Sequence, residues 1–85
     1  MNGRVIVDFT AAEGSVVRIV GLVERRGFRL RGLSMQEEEA ERASLTLDLE
    51  ARDAQRRFDM LGLQLGRLHE VSNVSVFNPE PGQVQ

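Results

Sequence analysis

The side chains best able to do chemistry are few, and their spacing suits none of the common reactions. His69 is the only histidine and stands beside Glu70, where a helix meets a strand, a position that suits a capping or surface role better than proton transfer. Ser15 follows Gly14 but lacks the flanking glycine pattern of a nucleophile elbow. The acidic run Gln36 to Arg42, QEEEAER, lacks the spaced oxygen ligands of a calcium loop and reads as a solvated hairpin connection. With no cysteine, disulfides and thiolate metal sites are excluded, and the reducing cytoplasm is the simplest compartment. No catalytic residue, metal ligand set or cofactor site is therefore expected in this chain.

Charge narrows the partners. The net charge is −2 with a pI near 5.4, so the overall field does not favour nucleic-acid phosphates. All eleven basic residues are arginine. Val5, Ile6 and Val7 are interrupted by Asp8, too early for a signal-peptide core, and no apolar run approaches the length of a membrane span. No membrane and no nucleic-acid partner is expected.

The elements that would position any site are organised around Gly14 to Met35. Val16, Ile19, Val20 and Val23 recur at helical spacing and predict one buried face. Arg25 and Arg26 complement the negative end of the helix dipole, and Gly27 can take the left-handed conformation that stops a helix. Phe28 and Leu30 then alternate with Arg29 and Arg31 as a strand with an apolar and a charged face. The apolar phase slips between Leu30 and Leu33, which predicts a bulge near Gly32. Thr10-Ala11-Ala12-Glu13 has the form of a capping box, with Ser15 as a rival cap.

Arg4 to Phe9 reads as a first strand suited to the sheet interior, because its second face is only partly polar. Leu45, Leu47 and Leu49 alternate with polar residues as a third strand. Asp53 is a candidate N-cap for a second helix with core stripe Phe58, Leu61, Leu65 and Leu68. Within it Gly62 and Gly66 either admit another element closely or mark a frayed end. Val71 to Phe77 is the last strand. The order β-α-β-β-α-β predicts an α+β, ferredoxin-like sandwich, a four-stranded antiparallel sheet with both helices on one face. It forms a single domain over residues 1–77, and 78–85 read as a flexible tail. The same order serves an RNA-binding module that stacks bases on sheet aromatics. Four phenylalanines without tyrosine or tryptophan, and a third strand with acidic outward residues, leave that a remote alternative.

Arg18 to Phe28, RIVGLVERRGF, followed by Leu30 and Leu33-Ser34-Met35, closely resembles the ACT domain of acetohydroxyacid (acetolactate) synthase small subunits. Leu65-Gly66-Arg67-Leu68-His69-Glu70-Val71 extends the match to the family's closing "L-x-K/R-L-x-D/E-V" segment, so the resemblance covers Val5 to Phe77. The length is similar to the short type found with isozyme II. The resemblance implies a non-catalytic regulatory subunit whose partner is the catalytic large subunit, which carries thiamine diphosphate, FAD and magnesium and serves branched-chain amino-acid (valine, isoleucine) biosynthesis. The alternative is a stand-alone ACT sensor or adaptor for another metabolic enzyme.

The resemblance also implies an amino-acid effector site where the first loop of one copy meets the second strand of another. The corresponding positions are Ala11, Ala12, Glu13, Gly14 and Ser15, with Arg29 and Leu30. Ala11 stands where the family often has Asp or Asn, and Arg29 where valine-sensitive members have Asn, so little or no valine response is expected. An edge strand at Phe28 to Met35 predicts a homodimer. Val17, Leu22, Met60 and Leu63, off the two core stripes, with Arg29 and Arg31, are the expected partner surface.

Overall fold

Alternating apolar residues and the glycine stop at Gly27 produce the expected order of elements. The computed structural model describes residues 2–53 and 55–77. It contains β1 (Asn2–Thr10), α1 (Ser15–Arg25), β2 (Phe28–Glu37), β3 (Arg42–Ala51), α2 (Phe58–Leu65) and β4 (Val71–Phe77). The sheet order is β2-β3-β1-β4, antiparallel throughout. β1 lies in the interior, as its two-sided apolar pattern implies. The expected tail at 78–85 lies outside the described residues.

One face of the sheet carries Val5, Val7 and Phe9 of β1 and Ala43, Leu45, Leu47, Leu49 and Ala51 of β3, all buried beneath the helices. Phe28 and Phe58 meet there at 4.9 Å between ring centroids. Gly3 makes room for this pair, since a Cβ at that position would sit 2.8 Å from the Phe58 ring. The phase slip in β2 is a bulge between Leu30 and Gly32, with Arg31 as the extra residue. A second irregularity in the β1–β4 ladder places Ser72 outside the pairing, and its hydroxyl donates to the Asp8 carbonyl at 3.0 Å.

The helices differ from expectation in detail. α1 begins at Ser15 with Gly14 as N-cap at φ 82°, and no side chain caps it, so the anticipated capping box does not form. Its buried face is Ser15, Ile19, Leu22 and Val23, rotated from the expected stripe, because Val16 and Val20 are only half buried. Leu22, expected on a partner surface, is 8% exposed and belongs to the core. Gly27 ends the turn at φ 91°, as its position required. α2 begins at Phe58 with Arg57 as N-cap. Asp53 instead accepts from the Gln55 N–H at 2.9 Å in the preceding segment. Phe58, Leu61 and Leu65 are buried, whereas Leu68 lies beyond the helix and is half buried. Gly62 admits β4: a Cβ there would lie 2.7 Å from Val76 Cγ2. Gly66 is the C-cap, with ordinary helical φ.

Candidate functional site

The first loop is built by the Ser15 hydroxyl together with backbone hydrogen bonds, and no side chain caps α1. Ser15 is buried, its Oγ accepting from the Ala12 N–H at 3.1 Å and donating to the Thr10 carbonyl at 3.2 Å. The Ala11 N–H donates to the Glu41 carbonyl at 2.7 Å, which fastens the loop to the β2–β3 hairpin. That hairpin turns through Ala40 and Glu41, both left-handed at φ 59° and 62°. Gly14 leaves the α1 N-terminus open, and no acidic residue occupies the first turn. An open helix N-terminus favours an anion, such as the carboxylate of an amino acid.

Arg18 stands over this opening. Its Nε donates to Glu70 Oε2 at 2.6 Å, and its Nη2 reaches the Glu13 carbonyl at 3.4 Å. The Glu70 carboxyl titrates below the usual range, chiefly through its own backbone N–H and then through the Arg18 hydrogen bond. Sequence reasoning did not single out Arg18, Glu70 or the hairpin as loop partners. The signal was available, since Arg18 opens one family-like segment and Glu70 lies in the other.

The other half of the expected effector site is elsewhere in the chain. Arg29 pairs across to Glu50 and on to Asn2, whereas the first loop follows Thr10 at the opposite end of β1. Those ends are about 26 Å apart at the usual strand rise. One chain therefore brings Ala11 to Ser15 together and does not bring Arg29 or Leu30 to them. Arg29 is exposed, and among the described residues it has no ion pair. Arg31 bonds Glu50 at 3.1 Å within the chain.

The remaining partner-surface positions are open: Val17 is 75% exposed, Leu63 63% and Met60 46%. Leu33 and Met35, on the helix side of β2, are also exposed, because neither helix covers the outer half of that edge strand. Phe77 is exposed at the end of β4 on the opposite sheet face, beside Arg4, which bonds Asp48 at 2.7 Å.

Charge is segregated along the strands. Arg4, Arg25, Arg26, Arg29, Arg31, Arg52, Arg56 and Arg57 gather at the end where α1 stops, among Glu24, Asp48, Glu50, Asp53 and Asp59. The loop and hairpin end carries Asp8, Glu13, Glu37, Glu38, Glu39, Glu41 and Glu70 against Arg18, Arg42 and Arg67. Among the described residues no three potential metal ligands come together, and no helix is long and apolar enough to cross a membrane. His69 is exposed.

Comparison with known proteins agrees with this geometry. The family described as "ACT domain" matches residues 11–74. The fold superposes on the ACT domain of GTP pyrophosphokinase from Chlorobium tepidum with a TM-score of 0.73 and 12% identity, covering 91% of this chain and 97% of that one. The acetolactate synthase small subunit from Thermotoga maritima gives 0.77 at 20% identity over 96% of this chain, which spans 50% of that subunit. The C-terminal domain of MgtC from Mycobacterium tuberculosis gives 0.70 at 21% identity, covering 99% and 93%. No curated protein sequence matches significantly.

Proposed function

This chain belongs to the ACT-domain family, and from that premise we propose that it is a non-catalytic regulatory subunit of acetolactate synthase that acts on a separate, thiamine-diphosphate-dependent large subunit. One observation carries the reading. The two segments that resemble the synthase small subunits, Arg18 to Phe28 and Leu65 to Val71, are joined by the 2.6 Å bond from Arg18 to Glu70. The resemblance thus falls on residues that act together in the fold. Thiamine diphosphate, FAD and magnesium belong to the proposed partner, and the setting is cytoplasmic.

The chain works as a homodimer through β2. An exposed edge offers unpaired backbone groups, and antiparallel pairing of two β2 strands brings the Arg29 end of one copy to the acidic hairpin end of the other. That arrangement resolves the two arginines facing their own symmetry mates, and it carries Arg29 and Leu30 of one copy toward the first loop of its neighbour. Leu33 and Met35, left open in one copy, are covered by the same contact. Val17, Met60 and Leu63 remain for the large subunit.

Valine regulates this subunit weakly. Ala11 offers no side-chain acceptor for an ammonium, and the N–H groups of Ala11 and Ala12 and the Ser15 hydroxyl are already engaged within the loop. A polar group left unpaired on binding costs about 1–3 kcal/mol, or about one to two decades of affinity. The test is co-purification with the thiamine-dependent large subunit of the same source, followed by assay of acetolactate formation with and without valine. Stimulation with little valine inhibition is expected. Absence of both binding and stimulation overturns the synthase assignment. It would favour the second reading, a sensor or adaptor for another enzyme, which draws support from the equally full overlap with the GTP pyrophosphokinase ACT domain.

A further inference from the structure

The sheet has two free edges, β2 and β4, and they are built differently. β2 carries Arg29, Arg31 and Glu37 and is broken by the bulge beside Gly32, devices that limit which strand can join an edge. β4, VSNVSVF, has no charged residue and no proline, and from Asn73 to Phe77 its pairing with β1 runs in unbroken register. The Thr10 N–H donates to the Glu70 carbonyl at 2.9 Å, so the even-numbered residues of β1 turn their backbone groups toward β4. Register then sets Asp8, Ile6 and Arg4 against Asn73, Ser75 and Phe77, and alternation turns the N–H and C=O groups of Val74 and Val76 outward. Among the described residues no strand meets them.

Beside that open ladder lies a recess of about 450 Å³ between α2 and β4, space for about fifteen waters and so for the side chains of a strand. Gly62, Leu63, Gly66 and Arg67 line it on one side and Val74 on the other. Leu63 is exposed at its rim. Arg67 is exposed too, and among the described residues it has no ion pair. A strand added to β4 directs alternate side chains to this side of the sheet, where an apolar one meets Leu63 and Val74 and an acidic one meets Arg67. A second copy of the chain does not suit this edge. Two-fold pairing through β2 leaves one β4 at each end of the joined sheet, and self-pairing at both edges would extend the sheet without closing.

We propose that β4 receives an extended segment of the catalytic partner as an added strand, with an apolar side chain between Leu63 and Val74 and a carboxylate on Arg67. On the regulatory-subunit reading, on which this docking rests, that segment belongs to the large subunit. Hydrogen exchange of the full chain, alone and with the thiamine-dependent large subunit of the same source, tests it residue by residue. In the free chain the amides of Val74 and Val76 should exchange faster than those of Asn73 and Ser75. On binding, both should slow by about tenfold or more, in the alternating pattern of a backbone ladder. Val74→Pro removes one outward N–H and spares the bonds to β1, and should weaken the complex about tenfold. Leu63→Ser and Arg67→Glu, at exposed positions that keep the fold, should each weaken it about fivefold. Full binding by all three variants, or slowing that does not alternate at Val74 and Val76, overturns the added strand and leaves the regulatory reading standing. Loss of self-association in Val74→Pro, read by sedimentation, assigns the edge to a second copy and also overturns it. Absence of binding by the unaltered chain overturns both.

Discussion

The two helices rest on the same sheet but are held there by different means. α1 has eleven residues, a continuous buried face and a glycine stop, so where it runs and where it ends are encoded within its own residues. α2 has eight residues, too few for stability from propensity alone. It depends on what it touches: Phe58 over Gly3 and against Phe28, and Gly62 against Val76. Local pattern secures one helix and close tertiary contact secures the other. Each helix contains one interior glycine, which makes the contrast testable.

Gly62→Ala should give the largest effect. The new methyl would meet Val76 Cγ2, a β-branched group with little freedom to yield. Overpacking of this kind costs about 1–3 kcal/mol, read as a lower midpoint in urea denaturation, and Val76→Ala should restore part of the loss. A stabilised Gly62→Ala protein would erase the contrast. Gly21→Ala should act in the opposite direction, because its Cβ would meet only the end of the flexible Arg25 side chain at 3.2 Å. Removing the helix-interior glycine should stabilise by about 0.5–1 kcal/mol.

The smallest effect concerns the bond that ties α1 to the turn before β4. The folded Glu70 carboxyl lies below its ordinary value, so its contribution is present above the unfolded carboxylate pKa and is lost as pH falls through the folded one. Melting temperatures of the protein and of Glu70→Gln, compared from about pH 6 to about pH 3, should converge as the medium becomes acidic. A constant difference would show that the Arg18 contact does not depend on the Glu70 charge.

The same division explains what could be read from the chain. β4 matches its expected bounds, the Gly27 stop and the bulge beside Gly32 occur where alternation and glycine placement put them, and β2 lies at the edge. Each depends on neighbouring residues. The start of α2 did not follow from sequence, because Asp53 satisfies a nearby N–H and the helix begins where Phe58 finds Gly3 across the sheet. The rotation of α1 that buries Leu22 reflects the sheet beneath it, which a helical period cannot report. For the first loop, the glycine position was legible. The attachment of Ala11 to Glu41 and of Arg18 to Glu70 was not, since those pairs lie thirty and fifty-two residues apart.

Opposite charge at the two ends of the strands also governs how the molecule meets anything else in solution. A body with arginines at one pole and glutamates at the other turns in the field of an approaching charged surface before contact, so a larger share of collisions begins in one orientation. The poles lie farther apart than the screening length of about 8 Å at physiological salt. Added salt should therefore slow productive encounters while leaving the apolar contacts that hold a finished complex largely unchanged.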